Sequence, residues 1–194
     1  MSNPKSRKTG FWLGALLASL GCRADDTGRA PPLRRPQAQD PATVSVVAYV
    51  PTPRHPHAQA SIEVGFGDRI LRTDVVSTFD GRASGYMGRA HVADDEALLF
   101  VYASKDSRSF WMKNCLVALD ILYLDDDGAV VDVLTAEPPG PGTSDADQRH
   151  YPSSAPVRLV LEVRAGLSRE SGVTKGARVR LPAAVRELIA KAET

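Results

Sequence analysis

Leu116-Val117-Ala118-Leu119-Asp120-Ile121-Leu122-Tyr123-Leu124 is followed by Asp125-Asp126-Asp127-Gly128 and then by Ala129-Val130-Val131-Asp132-Val133-Leu134. Two apolar runs rich in branched residues, separated by a polar turn, read as a β-hairpin. Asp127-Gly128 suits the turn, because tight hairpin turns need a residue that tolerates positive φ. Working outward, Ser61–Phe66 alternates apolar and other residues, and Ile70–Val76 is a second strand signal. Ala97–Tyr102 (ALLFVY) is a short apolar run suited to a buried strand, Val157–Val163 (VRLVLEV) alternates again, and Ala177–Leu181 reads as a last short strand. Between them, residues 137–150 form a long loop with three prolines and two glycines. Pro182–Glu193 reads as a helix, with Pro182 near its start and Val185, Leu188 and Ile189 on one face. This pattern predicts a mainly β, single-domain barrel or sandwich with a short C-terminal helix, over residues 61–194. It argues against parallel βαβ units.

The N-terminal third has a different chemistry. Lys5, Arg7 and Lys8 precede eleven uncharged residues, Phe11–Gly21, and Cys22 follows at once. That is the layout of a secretory signal peptide. Eleven helical residues cover about 16 Å, against about 30 Å of bilayer hydrocarbon, so the run is short for a membrane span. Residues 23–42 contain one large aliphatic residue, Leu33, and half of the fourteen prolines lie between Arg23 and Ala60. Such a stretch buries too little apolar area to offset its ordering entropy, and reads as a tether. Thr43–Val50 (TVSVVAYV) reads either as an edge strand or as more tether. The expected organisation is therefore a signal peptide over 1–21, a tether over 22–60 and a β domain over 61–194.

The balance of the chain narrows the function classes. Its 24 basic and 23 acidic side chains leave a formal charge of +1, and removing residues 1–21 takes away three cations and makes the remainder net negative. There is no basic field to suggest nucleic acid. Two cysteines do not make a disulfide scaffold. No cofactor or metal is expected. His55-Pro56-His57 lacks a third ligand, and the Asp125–Asp127 carboxylates lack the spaced ligands and distal glutamate of a calcium loop. Ser153 and Ser154 lie near His150 but outside any G-x-S-x-G elbow.

Phe110-Trp111-Met112-Lys113-Asn114-Cys115 is the unusual hexapeptide of the chain. It resembles the FWMKNT signature of the DUF192 family, also called UPF0127. Other blocks agree with that family in order: Gly85-Tyr86-Met87-Gly88-Arg89 with GLMxR, Leu98–Tyr102 with MLFVF, Leu119-Asp120-Ile121 with PLDI less its proline. Asp127-Gly128, Tyr151-Pro152-Ser153, Val160–Val163 and Ala165-Gly166 follow. Tyr86 stands where the pattern has leucine, Cys115 where it has threonine, Ala118 where it has proline and Ala177 where it has aspartate. The resemblance covers about residues 61–181 and implies a compact, mostly β, secreted or membrane-tethered protein with no established activity. Ser19-Leu20-Gly21-Cys22 similarly resembles a bacterial lipobox, which implies acylation of Cys22, and Arg23 after it resembles lipoproteins sent to the outer membrane. The lipid so implied makes the membrane a partner; the residues themselves add the expectation of a small polar or anionic ligand or an envelope protein.

If residues 110–115 are extended, Phe110, Met112 and Asn114 share one face, and Trp111, Lys113 and Cys115 the other. Two arrangements follow from that. In one, Arg89, Lys113 and Asn114 meet a polar or anionic ligand beside a Trp111 wall. In the other, Lys113 or Arg89 pairs with Asp120, Asn114 holds a turn, and Trp111 and Met112 fill the core. Asp120 needs a partner in both, because a buried unpaired carboxylate is costly. An enzyme acting on an envelope metabolite or glycan would use Lys113 and Asp120, with Cys115 as a nucleophile only if a nearby cation lowers its pKa.

Overall fold

The computed structural model describes residues 53–192. The signal-peptide reading of 1–21, Cys22, and the strand-or-tether reading of 43–50 lie outside the described residues. Eight strands follow in order: β1 (Ala60–Phe66), β2 (Arg69–Val76), β3 (Glu96–Asp106), β4 (Ser109–Trp111), β5 (Leu119–Leu124), β6 (Val130–Ala136), β7 (His150–Pro152) and β8 (Val157–Arg164). Three short helices are α1 (Phe79–Ser84), α2 (Leu167–Glu170) and α3 (Ala184–Ala192).

Six strands form one sheet in the order β1-β2-β3-β8-β5-β6, and β4 pairs with β7 in a separate two-stranded ribbon. All neighbours are antiparallel except β2 and β3, whose connection passes through α1. The β5–β6 hairpin turns where the sequence places it. Asp125 Oδ1 accepts from the Asp127 and Ala129 amides at 3.0 and 2.7 Å, and Gly128 has φ 83°. A Cβ on Gly128 would lie 2.2 Å from the Val179 carbonyl oxygen, so the close approach of the Val179 backbone requires glycine.

Both faces of the sheet are covered, which explains why β5 and β8 are apolar almost throughout. One face carries Val64, Leu99, Leu122, Leu124, Leu159 and Leu161, and packs against Leu167, Val173, Val179 and Val185. Leu188 and Ile189 of α3 join it, so the helical stripe expected from residues 182–193 is the stripe that packs. The other face carries Leu98, Phe100, Leu119, Ile121, Tyr123 and Val160, and packs against Tyr86, Val92, Met112, Cys115 and Tyr151.

Two sequence expectations change. The sheet is not a closed barrel. Residues 176–180 cross one end and bond to both edges, with Gly65 and Arg180 exchanging amide bonds at 3.0 and 2.8 Å and Val179 N donating to Gly128 O at 2.8 Å. These are isolated bridges at Arg178 and Arg180, so Ala177–Leu181 is not a strand. The second change lies in 54–59, which read as tether. The Arg54 and His55 amides both donate to Asp74 Oδ2 at 2.6 Å, and Gln59 N donates to Val75 O at 2.9 Å. The ordered fold therefore begins ahead of β1.

Candidate functional site

The hexapeptide does not form the extended strand that alternation predicts. Strand β4 ends at Trp111, and Met112–Cys115 is a turn closed by Cys115 N donating to Met112 O at 3.0 Å. Asn114 takes φ 55°, the one non-glycine residue at positive φ among the described residues. Asparagine tolerates this region better than most residues do. The turn brings Met112 and Cys115 to the same buried face and leaves Trp111 38% exposed. The β4–β7 ribbon is held to the sheet by Phe110, set edge-on to Phe100 at 4.9 Å and to Tyr123 at 6.1 Å. The Tyr123 hydroxyl also donates to the Tyr151 carbonyl.

A second turn closes over the same face. Thr78 caps α1 by accepting from Gly81 N at 3.2 Å. The chain then turns at Gly85, and Gly88 N donates to Asn114 O at 2.8 Å, which ties this turn to the hexapeptide turn. His55 braces it from outside. Its Nδ1 accepts from His57 N at 3.2 Å, so Nε2 donates to Gly85 O at 2.9 Å. Both ring nitrogens are engaged, burial lowers the ring's pKa, and no metal-holding cluster occurs among the described residues.

Between the two turns lies a pocket of about 40 Å³. Its walls include Gly85, Tyr86, Phe100, Phe110 and Trp111; Arg82, Lys113 and Cys115 also line it, and Glu162 of β8 contributes a carboxyl. Glu162 is 5% exposed, and its Oε2 has no hydrogen-bond partner among the described residues. A Cβ on Gly85 would lie 3.5 Å from Phe100 Cζ and 3.8 Å from Glu162 Oε2, so no side chain separates the turn from the acid. Burial pushes Glu162 up to about 8. The Tyr86 hydroxyl is likewise buried without a partner, and burial, then Glu96 and Glu162, push it well above the usual phenol range. The described residues also form two larger hollows. One of about 220 Å³ is lined by Met112, the 137–149 loop and Tyr151. One of about 620 Å³ lies across the sheet, between β6 and the segment after β8.

A family model matches residues 62–181, well over half of the chain; its name is DUF192 and its description is an uncharacterized ACR. This chain belongs to the DUF192 family. It is similar to a crystal structure of a protein of unknown function from Novosphingobium aromaticivorans DSM 12444, with 25% identity, a TM-score of 0.60, and coverage of 70% of this chain and 94% of that one. It is also similar to a putative transcription regulator from Sinorhizobium meliloti 1021, with 26% identity, a TM-score of 0.52, and coverage of 62% and 91%. No curated protein matches.

The DUF192 fold separates the residues that sequence reasoning grouped together. Arg89 is spent on Glu96, with Nη2 at 2.8 and 3.0 Å from its two oxygens. Lys113 pairs with Asp145 and sits 5.4 Å above the Trp111 ring. Asn114 serves the turn through its backbone, and its amide reaches only Met87 Sδ at 3.9 Å. Asp120 points to the opposite face of the sheet and lines the 620 Å³ cleft. Its partners are Thr135 Oγ1 at 2.8 Å and Ser168 N at 3.1 Å, not Lys113 or Arg89. Trp111 and Lys113 alone of the five candidates line the small pocket. Glu162, Tyr86 and Arg82 were missed as site residues. A single alternating strand does not show that its second face is covered, and Glu162 follows Val160 on that face.

Cys115 is not an activated nucleophile. Burial, reinforced by Glu162, pushes its thiol up to about 12. In a Cys22→Ser variant, Cys115 should react with iodoacetamide at pH 8 over about a hundredfold more slowly than free cysteine. Alkylation at the free-cysteine rate would contradict the buried placement. Trp111 is stacked on His150 at 6.1 Å but is not core. Trp111→Ala should therefore cost only about 1 kcal/mol in a urea melt, against about 3–5 for a buried tryptophan; a loss in the higher range would mean that the ring is buried.

Proposed function

We propose that this DUF192 protein is an extracytoplasmic binding module, anchored through an acylated Cys22 and carried on its proline-rich tether, and that the pocket beneath the hexapeptide turn receives the polar end of a small ligand. The observation that carries the pocket reading is Glu162 Oε2, buried without a partner at the base of an aromatic-lined hollow. Buried polar atoms are nearly always paired, so an unpaired one facing a hollow supports a bound group as its partner. Small-molecule sites combine apolar walls with a few placed polar groups, and this pocket has that composition. A hollow of about 40 Å³ takes one functional group, and the rest of such a ligand lies at the mouth beside Trp111.

A thermal-shift screen of the intact protein tests this. Compounds that occupy the pocket should raise the melting temperature of the wild type and not of Glu162→Leu. Bound ligand at a hundred times its Kd stabilises by about 2.7 kcal/mol, a readily measured shift. Hits that survive Glu162→Leu but vanish with Arg169→Ala would move the site to the 620 Å³ cleft instead. For the anchor, mass spectrometry of protein from its host should find an acylated Cys22 as the first residue; an unmodified Cys22 would remove the anchor and leave the pocket reading intact.

A further inference from the structure

We propose that the group entering this pocket is the carboxylate of a small organic acid, and that Glu162 holds it by donating a hydrogen bond from its own protonated carboxyl. This rests on the pocket reading above and adds the charge and the chemical class of the ligand.

Among the described residues no cation lies within ion-pair distance of Glu162, and its walls are Phe100, Phe110, Tyr86 and a thiol. The Glu162 carboxylate would lose its hydration with no cation in ion-pair contact, so its neutral acid is the favoured form near neutral pH. A neutral carboxyl has one O–H to donate, and Oε2 has no acceptor. The phenols and the thiol packed around Glu162 do not supply a charge. Tyr102 of β3, Tyr123 of β5, Tyr86 of the turn after α1 and Cys115 of the hexapeptide turn are all pushed up by burial and stay neutral at pH 7. Beyond Tyr86, Glu96 forms an ion pair with Arg89, and Asp74 Oδ2 accepts from the Arg54 and His55 amides of the preceding loop.

The charges that line the pocket itself, Glu162 aside, are both positive. Lys113 pairs with the exposed Asp145. Arg82 donates to the Ser77 and Val101 carbonyls and stacks on Tyr102 at 4.7 Å, and among the described residues no carboxylate lies within ion-pair distance of it. An incoming ammonium would meet two cations and an acid that has first to lose its proton. An incoming carboxylate would meet two cations and a donor, and an O–H···O⁻ bond is among the stronger hydrogen bonds. The hollow accommodates a carboxylate head and little more.

The test uses the intact protein carrying Trp12→Phe, so that Trp111 on the pocket wall is the one indole and its emission reports occupancy. Sodium acetate, acetamide and methylammonium chloride are titrated at pH 7 and pH 9, at constant ionic strength. Acetate should shift the emission saturably, and its Kd should rise about tenfold from pH 7 to pH 9, as an acid near 8 loses its proton. Glu162→Gln keeps a donor, so it should bind acetate with one Kd at both pH values. Acetamide should bind at least tenfold more weakly than acetate. The proposal is overturned if acetamide equals acetate, if acetate affinity in the wild type is independent of pH, or if methylammonium binds and tightens as pH rises. That last result would keep the pocket and reverse its charge preference, whereas no response to any of the three probes would remove the pocket reading as well.

Discussion

Glu162→Gln should stabilise the protein relative to wild type by an amount that grows from pH 5 to pH 8 and then levels off, reaching about 3–5 kcal/mol. The sign follows from the direction of the shift. Burial raises the folded-state pKa of Glu162 from 4.5 to about 8, so the folded chain binds this proton more tightly than the unfolded chain. Its favourable contribution is complete below about pH 4.5 and is lost as pH rises through 8. Glutamine has the same shape and does not ionise, so the difference between the two proteins isolates this one group. Other shifted groups act in other windows. His55 is lowered by burial and weakens the fold as pH falls below its ordinary range. Asp132 is lowered by Ser154 and acts only in acid. Urea melts of both proteins at half-unit steps from pH 5 to pH 9 give the curve directly. A difference that stays flat would place an ionised, compensated carboxylate at position 162.

Asp120→Ala should destabilise the protein by about 2–4 kcal/mol and leave carboxylate binding at the Glu162 pocket unchanged. Asp120 is 2% exposed and holds two donors from different elements, the Thr135 hydroxyl of β6 and the Ser168 amide at the start of α2. Alanine leaves both without their acceptor, and each buried unsatisfied group costs about 1–3 kcal/mol. Because Asp120 projects to the face opposite Glu162, its loss does not reach the pocket. Equilibrium urea unfolding measures the first effect, and Trp111 emission with acetate measures the second. A stable variant that no longer binds would restore Asp120 to the site where sequence reasoning put it.

The two residues show what a sequence exposes and what it hides. The hairpin around Asp127-Gly128, the strands at 61–66, 70–76 and 157–163, and the apolar stripe of α3 were legible because each is set by local periodicity or by one turn residue. The pairing of side chains was not. Whether Asp120 meets Lys113 depends on which face of β5 lies under the hexapeptide, and that is settled by two three-residue strands, β4 and β7, too short to leave a periodic signal. Reading 110–115 as extended failed at one residue. Asn114 at φ 55° reverses the chain, so Met112 and Cys115 turn inward together and Trp111 moves to the rim. Arg89 was separated from the site by the parallel β2–β3 crossover, which sets Glu96 against it. Tyr86 was visible only as a departure from the leucine of the family pattern, and in the structure that departure is a buried hydroxyl beside the pocket.

The central claim is that a buried, proton-bearing Glu162 forms the polar base of the hexapeptide pocket. Carbon-13 NMR of the glutamate side-chain carboxyls, with Glu162 assigned by its absence from Glu162→Gln, measures that proton directly. The account predicts a titration midpoint near 8 for the Glu162 Cδ, moving upward when acetate is present, because bound anion favours the protonated acid. A midpoint between 4 and 5, the ordinary glutamate range, would contradict it.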